Sequence, residues 1–283
     1  GPVSVFCASN FPLAFSVAGG DTASAFTAGC PVIVKAHHAH PGSALAVGKA
    51  VIEAVKSCGL PEGTFSLLYG GGRTVGQRVV RHPALKAVGF TGSRAGGRAL
   101  FDLASARPEP IPVYAEMSSV NPIFLLPSAL ADRGEDIAQG LQGSATLGVG
   151  QFCTNPGIVF HGKGEGGDSF RATFAKFMGE AVAGPMLHSG IRDAYGEGLA
   201  VMNGHSGVEV LAEAGDERGE TAGNSSNHGS LRIAGALPSR QASVGCARAH
   251  MWWNKGTPRR TNDFVDAGRY FPDLGLQALG TGY

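Results

Sequence analysis

Cys153 stands between a glycine-rich approach and an Asn-Pro-Gly turn in the stretch "GVGQFCTNPG", Gly148 to Gly157. A thiol becomes a nucleophile when nearby N–H groups stabilise its thiolate and a substrate has room beside it. A loop that follows a helix can meet both needs, although the same position also suits a small buried thiol. Glu116 is the single carboxylate of "IPVYAEMSSVNPIF". Such a carboxylate either pairs with a cation or, at raised pKa, works as a general base. Asn10 precedes Phe11 and Pro12 in "ASNFPLAFS". Its amide is a candidate donor to an oxyanion, and an Asx turn ahead of proline is the local alternative.

A second set of residues could hold an anion. "GFTGSRAGGR" ends a strand and opens a helix, so N–H groups near Gly92 and Ser93 are placed to meet a phosphate, although the string lacks the GxGxxG and Walker patterns. Lys35 ends the strand "PVIVK" and could reach a ribose or phosphate, or simply be solvated. "HHAH", His37 to His40, matches no zinc spacing and has no carboxylate nearby, so no metal is expected. A thiol hydrolase would pair its cysteine with a histidine, and no histidine stands in a recognisable partner motif.

The elements that must position these groups alternate strand and helix from Pro31 to about Met117. "PVIVKA", "TFSLLYG" and "LKAVGFTG" are apolar runs of strand length. Between and after them come helical patterns at Ala44 to Cys58, in "TVGQRVVRH", and at Arg94 to Ser105. Val47, Ala50, Val51, Ala54, Val55 and Cys58 recur at helical spacing and are expected to line one face, and Gly59 suits the left-handed cap. Three successive βα units imply an α/β fold with a doubly wound parallel sheet. Ligands of such sheets bind at the carboxyl ends of the strands, here the loops after Val34, Leu68 and Phe90. A second α/β domain follows, with a helix around Asp136 to Leu147, the cysteine loop, the strand "GIVFH", a helix over Phe170 to Val182, and strand or helix texture up to Ala212.

Composition narrows the function classes. A net charge of +1 with mixed signs gives no basic stripe, so nucleic acid is not an expected partner. No apolar run approaches the roughly 20 residues of a membrane helix, and no membrane association is expected. Five cysteines (7, 30, 58, 153 and 246) form an odd set without a CxxC pair, which suits reduced thiols in a cytoplasm. Apart from Cys153 they are expected to be small buried hydrophobes. The Asn224-Ser225-Ser226 sequon is taken as chance.

The order of the motifs carries more than any one of them. Asn in an NFP turn, Lys after a strand, FTGS before a helix, Glu, then GQxC: together these resemble the aldehyde dehydrogenase superfamily. "HPALKAVGFTGSRAGGRAL", "PEPIPVYAEMSSVNPIFLLPSAL" and "LGVGQFCTNPG" are similar, more narrowly, to its α-ketoglutaric semialdehyde (2,5-dioxovalerate) dehydrogenase branch. The likeness spans about Gly1 to Ala212. It implies that Cys153 is the nucleophile, Glu116 the general base and Asn10 an oxyanion donor beside the Cys153 backbone N–H. It also implies that Lys35 contacts the adenosine end of a nicotinamide cofactor, and Gly92 with Ser93 the pyrophosphate. Many NAD-preferring relatives have glutamate where this chain has His38, so NADP is the expected cofactor, with NAD as the alternative and Arg73 a candidate for the 2′-phosphate. The partner implied is a small-molecule aldehyde, and complete relatives form homo-oligomers.

By the same resemblance residues 1–116 are a partial dinucleotide-binding domain and 117–212 a partial catalytic domain. Residues 213–283 are a divergent tail to which no fold is assigned. The long segment that family members carry ahead of the NFP turn is not found, nor is their later Glu-x-Phe-Gly-Pro motif. The expectation is a chain incomplete at both ends. Its alternative function is that of an inactive fragment or cofactor-binding remnant.

Overall fold

The structure is a computed structural model that describes residues 1–206, 208–214, 231–236 and 276–282. It divides into two compact units, Gly1–Ser118 and Ser119–Tyr283. The first contains five strands, β1 (Val3–Phe6), β2 (Val32–Lys35), β3 (Phe65–Leu68), β4 (Ala87–Thr91) and β5 (Val113–Glu116). All pair in parallel, in the order β3-β2-β1-β4-β5. The helices between them are α1 (Gly20–Thr27), α2 (Pro41–Ser57), α3 (Gln77–Arg81) and α4 (Arg94–Ser105).

Two apolar layers show that this sheet is doubly wound, as its alternating pattern predicts. Val5 and Cys7 of the β1 region pack with Val32, Val34 and Phe65 against Ala25, Ala44 and Val55. Phe6, between them in sequence, joins Val88 and Phe90 against Val80, Leu100 and Ala104. Consecutive residues of a strand face opposite sides, so both faces of a central strand must be apolar to be covered. The register pairs Phe6 with Lys35 and with Phe90, and Lys35 with Leu68. The carboxyl ends of four strands therefore open at one level, which gathers their loops at one edge.

The face of α2 differs from the expected one. Ala44, Gly48 and Val55 are buried and Val47 and Val51 half-buried, whereas Ala50, Ala54 and Cys58 are exposed. The cause is Gly48, where an added Cβ would lie 2.5 Å from Leu67 Cδ2. The helix presses Ala44, Gly48 and Val55 onto the sheet and turns Ala50, Ala54 and Cys58 outward. Gly59 ends it at φ +65, as expected of a left-handed cap.

The second unit is built on β6 (Pro122–Leu125), β7 (Ile158–Gly162), β8 (Val208–Ala214), β9 (Leu231–Ala236) and β10 (Leu276–Gly282). Their order is β6-β7-β10-β9-β8, with β6 and β7 parallel and the other pairings antiparallel. Its helices are α5 (Pro127–Thr146), α6 (Glu165–Gly179) and α7 (Ser189–Asn203). The start of α5 lies well before Asp136, because Pro127 opens its first turn and the backbone continues through a kink at Arg133 (φ −145, ψ 35). Helix α6 starts at Glu165 rather than Phe170, with Glu165 and Asp168 complementing the dipole of its first turn. Phe170, Phe174 and Met178 then pack with Ala138, Leu141, Ala145 and Val159. Each such large side chain, fully buried, contributes about 1.5–3 kcal/mol.

From the divergent tail, the backbones of β9 and β10 enter this second sheet. The Asn224 sequon and Cys246 lie outside the described residues. No described helix is long and apolar enough to cross a membrane.

Candidate active site

In the first unit the candidate residues follow the carboxyl ends of the strands. Lys35 closes β2 and is only 7% exposed. Burial lowers its pKa and the Cys7 thiol nearby opposes the shift. Among the described residues no carboxylate pairs with it. Burying an ammonium without a counter-charge is costly, so this position suits a ligand that brings hydroxyl or phosphate oxygens. His38 is exposed on the following loop, and its pKa is lowered first by burial and then by the positive charges of Lys35 and His40. The His37 ring lies against that of His38, centroids 4.3 Å apart, and accepts from the Ala39 N–H at 3.1 Å. His40 Nε2 lies 2.7 Å from the Ala8 carbonyl, joining the loop after β2 to the loop after β1. Among the described residues no group of three or more His, Cys, Asp or Glu side chains is arranged to hold a metal.

Asn10 is half-buried in the loop after β1. That loop is folded back by the Ala8 N–H donating to Phe15 O at 2.8 Å and by the edge-on rings of Phe11 and Phe15. Arg73 lies exposed on the single π-helical turn Gly72–Gly76 after β3. At the end of β4, Ser93 caps α4, its Oγ accepting from the Gly96 N–H at 2.9 Å. The Gly92 N–H is already given to the Glu116 carbonyl at 3.0 Å. The Gly96 and Gly97 N–H groups are likewise given to Ser93, to its Oγ and its carbonyl, and a Cβ at Gly92 would lie 2.8 Å from Phe90 Cζ. Glu116 ends β5 opposite Thr91, with its side chain exposed and in no ion pair among the described residues.

Cys153 belongs to the second unit, in the loop between α5 and β7, and is half-buried. Gly148, Val149 and Gly150 approach it in succession at φ +61, +57 and +67. Glycine adopts this left-handed backbone freely, but for a β-branched valine it is a strained outlier that surrounding structure must hold. Gln151 supplies part of that hold, donating to Gly148 O at 3.1 Å and accepting from the Leu187 N–H at 2.8 Å. Asn155 Nδ2 donates to Ala145 O of α5 at 2.8 Å. On the other side, the Ser119 hydroxyl and Asn121 Nδ2 both donate to the Cys153 carbonyl, the latter at 2.7 Å.

The candidates of the first unit thus share one sheet edge, and Cys153 sits in a loop of the second unit. Sequence reasoning missed Ser119, Asn121, Gln151 and Asn155. The available signal was the Asn-Pro step at 121, since asparagine is among the few residues that tolerate the left-handed backbone found there, φ +47. The expected burial of the remaining thiols holds for Cys7, at 5% exposure, and burial pushes its pKa up. It does not hold for Cys58, which is exposed because α2 turns that end outward, or for Cys30, which is half-buried beyond the end of α1.

Comparison with known proteins agrees with the motif order. An α-ketoglutaric semialdehyde dehydrogenase of Azospirillum brasilense is 62% identical over 211 residues, and one of Acinetobacter baylyi is 46% identical over 212 residues. Each alignment covers 75% of this chain, and the chain spans 40% of each relative's length. The solved structure of a 3,6-anhydro-L-galactose dehydrogenase in complex with NAP superposes with a TM-score of 0.62 at 26% identity, covering 75% of this chain and 44% of that one. The model of the aldehyde dehydrogenase family matches residues 1–190, so the chain belongs to that family.

Proposed function

We propose that this chain serves the oxidation of an aldehyde to its carboxylate, with Cys153 as the nucleophile. The observation that carries the proposal is the half-buried Cys153 thiol, held in a strained and side-chain-clasped loop inside the residues that the family match covers. Both relatives are named as α-ketoglutaric semialdehyde dehydrogenases, and α-ketoglutaric semialdehyde is the substrate proposed here. Residues 1–116 take the cofactor-binding role and 117–212 the catalytic one. The free thiols of Cys7, Cys30, Cys58 and Cys153 support a reducing, cytoplasmic setting.

The Cys153 thiolate attacks the aldehyde carbon, forming an S–C bond and an oxyanion. Asn10 and the Cys153 backbone N–H donate to that oxygen, where charge develops. A bound nicotinamide dinucleotide supplies the two-electron acceptor that the oxidation requires. Glu116 takes a proton from the water that releases the carboxylate and restores the thiol. Lys35, unpaired with any described carboxylate, takes the ribose or phosphate oxygens at the adenosine end, and the N–H groups near Ser93 take the pyrophosphate. The absence of a carboxylate at His38 removes repulsion against a 2′-phosphate, which favours NADP over NAD. Arg73 is the proposed phosphate contact.

The test is NADPH formation by the purified chain with α-ketoglutaric semialdehyde, with Cys153→Ala as control. Turnover that vanishes in the variant supports the proposal. A second reading, a remnant that binds cofactor without turnover, is favoured by the chain's 40% share of its relatives' length. It predicts NADP binding by a folded protein with no thiol-dependent oxidation.

A further inference from the structure

The segment ahead of β6 and the loop ahead of β7 are fastened to each other over three residues on each side. The Gly157 N–H donates to Val120 O at 2.9 Å, which carries the parallel β6–β7 register back beyond its first pair, Pro122 with Ile158. Nearer the cysteine, Asn121 Nδ2 donates to Cys153 O at 2.7 Å and to Asn155 O at 2.8 Å. The Ser119 hydroxyl takes the other side of the Cys153 carbonyl, and Asn121 Nδ2 lies 3.1 Å from Ser119 Oγ. Two carbonyls, which only accept, flank one end of the Asn121 amide, so that end must be the NH₂ and not the oxygen. The backbone of Asn121 is left-handed, φ +47, and aspartate or glycine can take its place there without new backbone strain.

We propose that Asn121, seconded by Ser119, is the positioning residue for the nucleophile: by clamping the Cys153 carbonyl to the head of β6, it fixes the direction of the Cys153 thiol and backbone N–H. This rests on Cys153 being the nucleophile. Two donors on one carbonyl hold the peptide that follows Cys153 in place and leave the residue little torsional freedom. A loop otherwise built on consecutive left-handed residues needs such an external anchor, because its own backbone favours relaxation.

The experiment is the rate of iodoacetamide alkylation at each cysteine of the whole chain, read by mass spectrometry across pH. Exposed Cys58 is the internal reference for an ordinary thiol, and buried Cys7 reports unfolding of the first unit. In the unaltered chain Cys153 is expected to label faster than Cys58. Asn121→Gly and Asn121→Asp each remove the donor while keeping the backbone, and are expected to lower the Cys153 to Cys58 rate ratio by roughly five- to tenfold, the weight of one hydrogen bond. Ser119→Ala gives a smaller loss and Ser119→Thr restores the ratio. The Ser119 pair keeps the test decisive should an Asn121 variant fail to fold. If Cys153 labels no faster than Cys58 in the unaltered chain, its assignment as nucleophile fails, and the clamp with it. If it does label faster and the ratio is unmoved in Asn121→Gly and Ser119→Ala, the clamp is overturned and the nucleophile stands.

Discussion

The two units hold their candidate residues by different means. In the first, Lys35, Ser93 and Glu116 are placed by strand register: each lies at or just beyond the carboxyl end of a parallel strand, where successive βα units deliver a loop. In the second, Cys153 precedes a strand and is placed by side chains, those of Ser119, Asn121, Gln151 and Asn155, acting on a backbone that departs from the common regions. Repetitive hydrogen bonding positions a residue cheaply and tolerates exchange of many side chains. Placement by individual amides concentrates the burden on a few residues, and each becomes sensitive to substitution.

The largest contrast is expected in catalysis. In a competent enzyme Glu116→Gln should slow release of the carboxylate by about a hundredfold or more, as loss of a general base does, while acyl formation slows far less. Single-turnover measurement of the two steps checks this, and equal slowing of both would remove Glu116 from the role of base. Next comes packing. Gly157→Ala places a Cβ 2.6 Å from Val120 O and should destabilise the second unit by about 1–3 kcal/mol. Gly42→Ala in α2, with nothing within 4 Å of its Cβ, should be neutral or stabilising by up to about 1 kcal/mol. Urea denaturation of both variants measures the difference.

A smaller contrast concerns pH. His161 of β7 is fully buried, its Nδ1 2.9 Å from Gly162 O, and burial lowers its pKa. The unfolded chain then takes up the proton first as pH falls. The stability contribution is full above about pH 6.5, the ordinary histidine value, and is lost as pH drops through the lower folded-state pKa. Denaturation midpoints of His161→Leu should fall less steeply on the acid side than those of the unaltered chain. Replacing His38, whose pKa is also lowered, should shift that slope in the same direction. The smallest effect belongs to the exposed pair Arg98–Asp102, 2.8 Å apart on α4, where Asp102→Asn should cost no more than about 0.5 kcal/mol by the same assay.

The contrast also explains what could be read in advance. Helix α4, Arg94 to Ser105, appears where the sequence places it, and strands β2 to β4 fall within the apolar runs that announce them. Each is specified by residues close in sequence. The buried face of α2 was misjudged because hydrophobic spacing weights alanine above glycine, and Gly48 is the residue that meets Leu67. The Asn121 clamp was invisible because its partner carbonyl lies 32 residues away. The left-handed approach was half legible: Gly148 and Gly150 advertise it, and Val149 between them conceals it. The order of the motifs was nevertheless enough to place the chain in its family.

Strand β10 lies between β7 and β9. During synthesis β7 therefore leaves the ribosome with one edge paired to β6 and the other open until residue 276 has been added. At about 5–20 residues per second that wait is on the order of ten seconds, long compared with the time a small sheet needs to form. In the first unit the comparable interval is shorter: β1, which ends at Phe6, keeps one edge open until β4 begins at Ala87. Nascent chains should acquire structure in two stages, and the open edge of β7 is where a chaperone would have most to do.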